Sequence, residues 1–395
     1  MIGFDEAFAL AGAAGKLLGT EEILLRAAHR RVLAEPVVAQ VQSPRAAVST
    51  MDGYAVRDAD VAALPAALRI AGDSFAGRPF AGAVPPASCV RVFTGAAVPA
   101  GTERVIVQEV VEREGEVARF AEPPFGARHI RPAGSDFALG DELLAAGTVL
   151  TPRALVAAAA ADIECVRVAR RPLLRVLSTG DELVEPGQAR RSTNRIPESV
   201  SVAVAALAEE WGGQLETAVR LPDERRTMER AAAEALNAAD LVVVTGGASV
   251  GEKDYAKAMF AFAGLELIFS KVAMKPGKPV WLGRALGKLV IGLPGNPTSA
   301  LVTARLFLAG LLCGLTGRDP AEAAAWRAMP LGEGLEPTGE RETFSRGYVE
   351  ARAVRLFAHQ DSSAQKVLAK AGLLVRRPIS TAPVPAGASV DVLDF

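Results

Sequence analysis

A chain of 395 residues exceeds one ordinary domain and, at roughly 150 residues per domain, predicts two to four units, each able to bury its own core. Hydrophobic residues at 50% and charged residues at 23% exclude a disordered or fibrous protein, and 44 basic against 45 acidic side chains, net −1, exclude a broad electrostatic grip on nucleic acid. Cys89, Cys165 and Cys313 are too scattered for a CxxC metal pair or a disulfide framework, the start carries Asp5 and Glu6 without a basic n-region, and the apolar run 306–315 is too short for a bilayer, so a cytoplasmic protein without membrane contact is expected.

Residues 4–33 are expected as one helix or two, with Phe4, Phe8, Leu17 and Leu18, then Ile23, Leu24, Ala27 and Ala28, at helical spacings around Gly19-Thr20. From Pro36 the texture changes: VVAQVQ suits a strand, Ser43-Pro44 a turn, and Asp52-Gly53 in TMDGYAVR a hairpin turn. Residues 68–117 read as an all-β insert with a turn at Thr94-Gly95, and 126–150 as loop-rich. Thr151-Pro152 then opens an alanine-rich helix, and Arg170-Arg171 before Pro172 marks a boundary.

Beyond 173 strands alternate with helices. PLLRVLSTGDEL gives a buried strand and polar loop, SVSVAVAALAEEWGG a helix, QLETAVRL a strand, and Asp223 a cap for the helix ERRTMERAAAEALNAA. LVVV at 241–244 breaks at Thr245, Gly246 and Gly247, and Ser249, Gly251, Glu252 and Asp254 precede a helical segment at Tyr255, Met259 and Phe260. KLVIGLPGNPTSA adds a strand, a Pro-Gly-Asn-Pro loop and a long apolar helix; after Asp319-Pro320 the alternation suggests a small β domain. Such βαβ units make a mostly parallel sheet whose right-handed crossovers gather the strand-end loops on one edge.

That edge collects Thr179, Gly180, Asp181 and Glu182, then Asp223, the 246–254 loop and the 294–297 loop. Glycine amides favour phosphate and carboxylates repel it, a conflict that a divalent cation resolves, so a phosphate or pyrophosphate held with Mg²⁺ is expected. Lys275 and Lys278, on a loop stiffened by Pro276 and Pro279, suit a small oxyanion. Singly, each has a plainer explanation: Asp52 as a turn former, Asp223 as a helix cap, the lysines as solvated surface. No GK[ST] ending, GxGxxG after a strand, GxSxG or HExxH occurs, and His29, His129 and His359 are isolated, which weakens kinase, dehydrogenase and serine-hydrolase readings.

Six segments in order, TMDGYAVR, FTGAAVPAGTERVIVQE, STGDEL, TGGASVGEKDY, MKPGKP and GLPGNPTSA, resemble the molybdopterin molybdenumtransferases, the MoeA proteins, related to the E domain of gephyrin. The resemblance covers nearly the whole chain. It implies an α/β multidomain fold: a linking domain (1–45 and 141–172), an inserted β-rich domain (46–140), a MogA-like, mostly parallel α/β sandwich (173–320) and a C-terminal β barrel (321–395), in an elongated homodimer. The implied reaction inserts molybdate into adenylylated molybdopterin, cleaving the phosphoanhydride with Mg²⁺ and releasing AMP. The family's functional acids fall on Asp52, Asp136, Glu182, Asp223 and Asp254, with Thr94; Asp52 and Thr94 would reach into the partner subunit's crevice. Glu182, Asp223 and Asp254 would meet the metal. Asp181, Gly246, Gly247, Ser249, Gly251, Pro294 and Pro297 would line the substrate crevice, and Lys275, Lys278, Ser299, Arg341 and Ser362 the molybdate pocket. GSDF, NPTS and RSTNR depart from the family's common GEDI, NPVS and an acid before the Asn pair, the last touching Asn194. A MogA-type adenylyltransferase would resemble only 173–315, and a gephyrin-E-like scaffold would not need intact acids; these are the two alternatives.

Overall fold

The structure, a computed structural model, describes residues 1–122, 126–247 and 255–395. Its central sheet has six strands in the order Gln214–Leu221, Leu173–Thr179, Leu241–Thr245, Lys288–Leu293, Trp281–Ala285, Glu266–Ser270. The first three pairings are parallel and the last two antiparallel, leaving Trp281–Ala285 as the one strand of this sheet that runs against the other five, so the expected mostly parallel sheet is present. Both faces are covered, which explains the unbroken LVVV run: Leu241 and Val243 enter one core with Val204, Leu207 and Phe307, while Val242 and Val244 enter another with Met228, Leu236 and Phe260. Each such burial contributes about 1.5–3 kcal/mol.

The apolar helix after the Pro-Gly-Asn-Pro loop is interrupted, with Pro297–Thr303 and Ala309–Leu315 joined by a π turn at Ala304–Leu308. The run 306–315 is therefore part of a longer element. Pro297–Leu315, 19 residues with mean hydropathy 1.7, is long and apolar enough to cross a membrane by length and composition, but 89% of it is buried inside the fold, as a core helix is.

The helix Phe4–Ala14 packs into the same core, Phe4 lying 5.7 Å from Phe307 and 4.7 Å from Phe344 between ring centroids. The expected continuation of helix through 20–28 is corrected: Thr20–Leu24 is a strand, antiparallel to Cys165–Ala169, followed by one 3-10 turn. Pairing with a strand more than a hundred residues away overrides the local helical spacing. Leu33, Val37, Leu150, Ala154, Ala158 and Val168 close a separate core, and the Thr151 hydroxyl caps the Pro152–Ala160 helix by accepting from the Ala154 amide at 3.4 Å. At the Arg170-Arg171 boundary, Arg170 grips Asp240 with two bonds of 2.9 and 3.0 Å, and the Leu173 amide adds a third at 2.9 Å. Burial pushes the Asp240 carboxyl up, but Arg170 and that amide outweigh it and hold the group below its ordinary range.

The insert is a second six-stranded sheet, ordered Arg104–Val107, Gly53–Val56, Ser88–Val92, Ala66–Ser74, Val117–Phe120, Val111–Glu114. Here Asp52-Gly53 is not a hairpin turn. Gly53 opens a central strand with neighbours on both sides, and a side chain on it would run into the Ile106 backbone.

The third six-stranded sheet runs Met274–Lys275, Glu342–Glu350, Leu373–Arg377, Ser389–Asp394, Arg327–Pro330, with Ala353–Leu356 beside Glu342–Glu350. A bridge between Leu331 and Val354 joins the far end of this order to the branch. Because Met274–Lys275 comes from the α/β segment, this sheet fastens the lysine loop to the C-terminal part of the chain.

Candidate active site

The parallel strands end where Thr179 and Thr245 stand side by side, the Thr179 hydroxyl donating to the Thr245 carbonyl at 3.3 Å and the Thr245 hydroxyl to Ser178 Oγ at 3.0 Å. Gly246 turns away with φ 88°, and a Cβ there would stand 2.5 Å from the Thr179 carbonyl oxygen, so only glycine closes this junction. The neighbouring 294–297 loop meets it directly, since a Cβ on Gly295 would be 3.2 Å from the Gly246 Cα. Pro294 is buried and Pro297 opens the helix at its first turn.

Asp181 and Glu182 follow the Leu173–Thr179 strand and are exposed. Asp181 Oδ1 accepts from the Asp223 amide at 3.0 Å, and Arg195 donates to the Asp181 carbonyl, so two strand-end loops are laced together. Glu182 folds over Gly180, its Oε2 lying 2.7 Å from where a Cβ would be, and its carboxylate has no hydrogen-bond partner among the described residues. Asp223 is not the cap of the helix Arg225–Ala238: Glu224 holds that position, without a side-chain cap bond. Being one residue farther out, Asp223 stays at the strand end. Gly247 lies there too, beside Ala256 and Thr179. Ser249, Gly251 and Asp254 lie outside the described residues.

The lysine loop approaches from the other side. Lys275 pairs in register with Thr343 and Met274 with Glu342, whose amide binds the Ala273 carbonyl at 2.9 Å, so Arg341 leads into the same strand two positions before the partner of Lys275. Gly277 packs against the Thr303 methyl with no room for a side chain, and the Thr303 hydroxyl donates to the Ser299 carbonyl at 2.8 Å. Lys275 and Lys278 are exposed, whereas Ser299 is buried. Asn296 does not cap its helix; its Nδ2 instead donates to Ser362 Oγ at 3.0 Å. The segment 294–303, turn and helix together, is thus the common neighbour of the glycine loop (through Gly295), Ser362 (through Asn296) and the lysine loop (through Thr303).

Asp52 and Thr94 form a separate pair, and Asp136 is bonded elsewhere. Thr94 donates to Asp52 Oδ1 from both its amide and its hydroxyl, each at 2.8 Å, and the Gln108 amide donates to the Asp52 carbonyl at 3.1 Å. The Thr94 amide, then its hydroxyl, and more weakly the Arg91 charge hold the Asp52 carboxyl below its ordinary range despite some desolvation. Asp136 is exposed and its amide binds the Ser43 carbonyl at 3.0 Å. These bonds run within the insert and its junction, and none of them reaches a residue of the strand-end crevice.

Sequence reasoning passed over Arg91, described below, and Glu198, a buried carboxylate that accepts from the Val200 and Ser201 amides at 2.8 and 2.9 Å and from the Ser201 hydroxyl, capping the helix Val200–Glu210. An acid just before a Ser-rich helix start was the available signal. Singly, Asp181, Glu182 and Asp223 carry the hard oxygen donors that Mg²⁺ takes, but they do not converge into one donor set. Among the described residues, no group of three or more acidic, His or Cys side chains could hold an ion, and Asp254, the expected third metal acid, is outside them.

A glycine loop and carboxylates at parallel strand ends, with a basic loop alongside, define an α/β protein built for an anionic ligand. Residues 2–161 match the family described as MoeA N-terminal region (domain I and II), and residues 175–313 that described as probable molybdopterin binding domain. The molybdopterin molybdenumtransferase of Haemophilus influenzae is 38% identical over 334 residues, 83% of this chain and 81% of that protein. The molybdopterin molybdenumtransferase 2 of Mycobacterium tuberculosis H37Rv is 31% identical, with 94% of each covered. The crystal structure of the molybdopterin biosynthesis MoeA protein from Pyrococcus horikoshii OT3 superposes with a TM-score of 0.86 at 25% identity over 100% of both chains. The chain belongs to the molybdopterin molybdenumtransferase family.

Proposed function

We propose that this chain is a transferase of molybdenum cofactor biosynthesis that inserts molybdate into adenylylated molybdopterin and releases AMP. The observation that carries the reading is the 294–297 turn with the helix Pro297–Thr303 that it opens: Gly295 meets the glycine loop, Asn296 meets Ser362, and Thr303 at the far end of the helix meets the lysine loop at Gly277. One turn and its helix can then hold the phosphoanhydride and the oxyanion of a single reaction in fixed relation.

In this reading Gly246, Gly247, Ser249 and Gly251, with Pro294, Pro297 and Asp181, seat the pyrophosphate. Lys275, Lys278 and Arg341, with Ser299 and Ser362, hold molybdate near the dithiolene sulfurs. Glu182, Asp223 and Asp254 would hold Mg²⁺, which when bound offsets anhydride charge and stabilises the departing phosphate. Asp52, Thr94 and Asp136 would complete the crevice of the partner in a homodimer, since the bonds of Asp52 and Thr94 stay within the insert and that of Asp136 runs to Ser43 at its junction. We further propose that the Leu331–Val354 bridge closes the C-terminal sheet as a small barrel, that the domain limits are those expected from sequence except that Phe4–Ala14 packs with the α/β core, and that the protein works in the cytoplasm.

The test is turnover. With adenylylated molybdopterin, molybdate and Mg²⁺, the purified chain is expected to release AMP and molybdenum cofactor. Consumption of ATP with free molybdopterin instead would replace this reading with adenylyl transfer, and absence of both activities would leave a scaffold.

A further inference from the structure

Asp52 emerges from the Gly53–Val56 strand between two neighbours, Ser88–Val92 on one side and Arg104–Val107 on the other. Residues continuing those neighbours reach back to it: Thr94 to the carboxylate, Gln108 to the backbone carbonyl. Arg91 spans this strand end. It pairs in register with Tyr54, and its guanidinium carbon stands 5.0 Å from the Tyr54 ring centroid and 5.0 Å from that of Phe93. It also donates to the Gly53 carbonyl at 3.4 Å and to Gln108 Oε1. Phe93 in turn lies flat on Phe75, centroids 4.5 Å apart and planes at 11°, so the platform under Arg91 is itself braced.

These contacts converge on the Asp52 turn. The Gly53–Tyr54 peptide, one residue past Asp52, is fixed through the Gly53 carbonyl, the flank bearing the Asp52-bound amide through the Gln108 side chain, and the guanidinium plane through two rings. Arg91 on the Ser88–Val92 strand is the charged group acting on the Asp52 carboxylate; the Arg104–Val107 side presents neutral Gln108. Asp52 Oδ2 makes no hydrogen bond among the described residues and is left for a ligand.

We infer that Arg91 is a positioning residue: tying Gly53, Gln108, Tyr54 and Phe93 together across the strand end, it fixes the direction in which Asp52 presents its free oxygen. This rests on the reading of Asp52 as a site acid, and the test separates the two. In the full-length enzyme, Arg91→Gln and Arg91→Lys are compared with the unaltered protein for kcat and KM against pH. The Asp52 carboxyl is titrated by carbon NMR without substrate, its signal assigned with Asp52→Asn. Arg91→Gln is expected to lower kcat about tenfold or more with KM little changed, and to move both the acid limb and the Asp52 titration to higher pH. Arg91→Lys, which keeps the charge but not the planar fork, is expected to return the acid limb and recover only part of kcat.

An Asp52 titration unmoved in Arg91→Gln overturns the inference, even if kcat falls, because that fall would then be merely structural. Should Arg91→Gln fail to fold, a kcat for Arg91→Lys equal to that of the unaltered protein overturns it. Full turnover by Asp52→Asn would instead remove Asp52 from the reaction, while the titration still decides whether Arg91 holds it.

Discussion

The strand-end crevice and the inserted sheet carry acids of two kinds. Glu182 lies on an exposed loop with its carboxylate unpartnered among the described residues, and Asp181 spends one oxygen on the Asp223 amide. Asp52 is clamped by two donors from one residue and held below its ordinary titration range. An unpartnered carboxylate can exchange water for a cation, whereas a clamped one acts as a fixed acceptor in a set direction. The crevice thus has the character of a binding half and the insert that of an orienting half.

The comparison breaks first at the lysine loop. Replacing Lys275 and Lys278 together by alanine is expected to raise the molybdate KM by on the order of tenfold or more, as loss of charge-assisted contacts to an oxyanion does, without changing the midpoint of unfolding. An unchanged molybdate KM in steady-state assays would move the oxyanion elsewhere. Gly246→Ala is a smaller blow of a different type. It forces a Cβ toward the Thr179 carbonyl at a φ of 88° and is expected to cost about 1–3 kcal/mol in denaturant unfolding. Stability equal to that of the unaltered protein would mean that the junction relaxes and does not hold the crevice.

The smallest effect sharpens the contrast. Because the folded carboxyl of Asp52 titrates below its ordinary value, activity that needs it charged persists as the pH falls and is lost only when the lowered value is reached. Thr94→Val removes the hydroxyl bond but keeps the amide bond, which is the larger cause. Its acid limb is expected to move part of the way to higher pH in a rate profile. An unmoved limb would assign that limb to another group.

The crevice half was largely legible in the sequence, and the insert half was not. Unbroken apolar runs such as 241–244, glycine breaks and intervening helices specify a parallel sheet, and a parallel sheet dictates where its loops go. Asp181, Glu182, Asp223 and Gly246 accordingly meet at one edge. In the insert, neighbours in space are distant in sequence: Asp52 meets Thr94 across 42 positions, and the central place of Gly53 between two strands has no local signature. Asp-Gly in isolation reads as a hairpin turn. The same reason explains Thr20–Leu24, helical in spacing but claimed by Cys165–Ala169, and Arg91, whose meaning appears only once Tyr54, Phe93 and Gln108 surround it.

That the two halves act together across two chains is tested most directly by complementation. Asp52→Asn and Glu182→Gln chains, each expected to lose on the order of 10²–10⁴ of turnover alone, are unfolded together and refolded as a mixture. A site shared between subunits leaves one intact crevice in each mixed dimer, so AMP release is predicted to recover to roughly a quarter of the unaltered rate, as random pairing in a two-fold dimer requires. No recovery, with mixed dimers verified by mass, would contradict the shared crevice and confine each chain's acids to its own reaction.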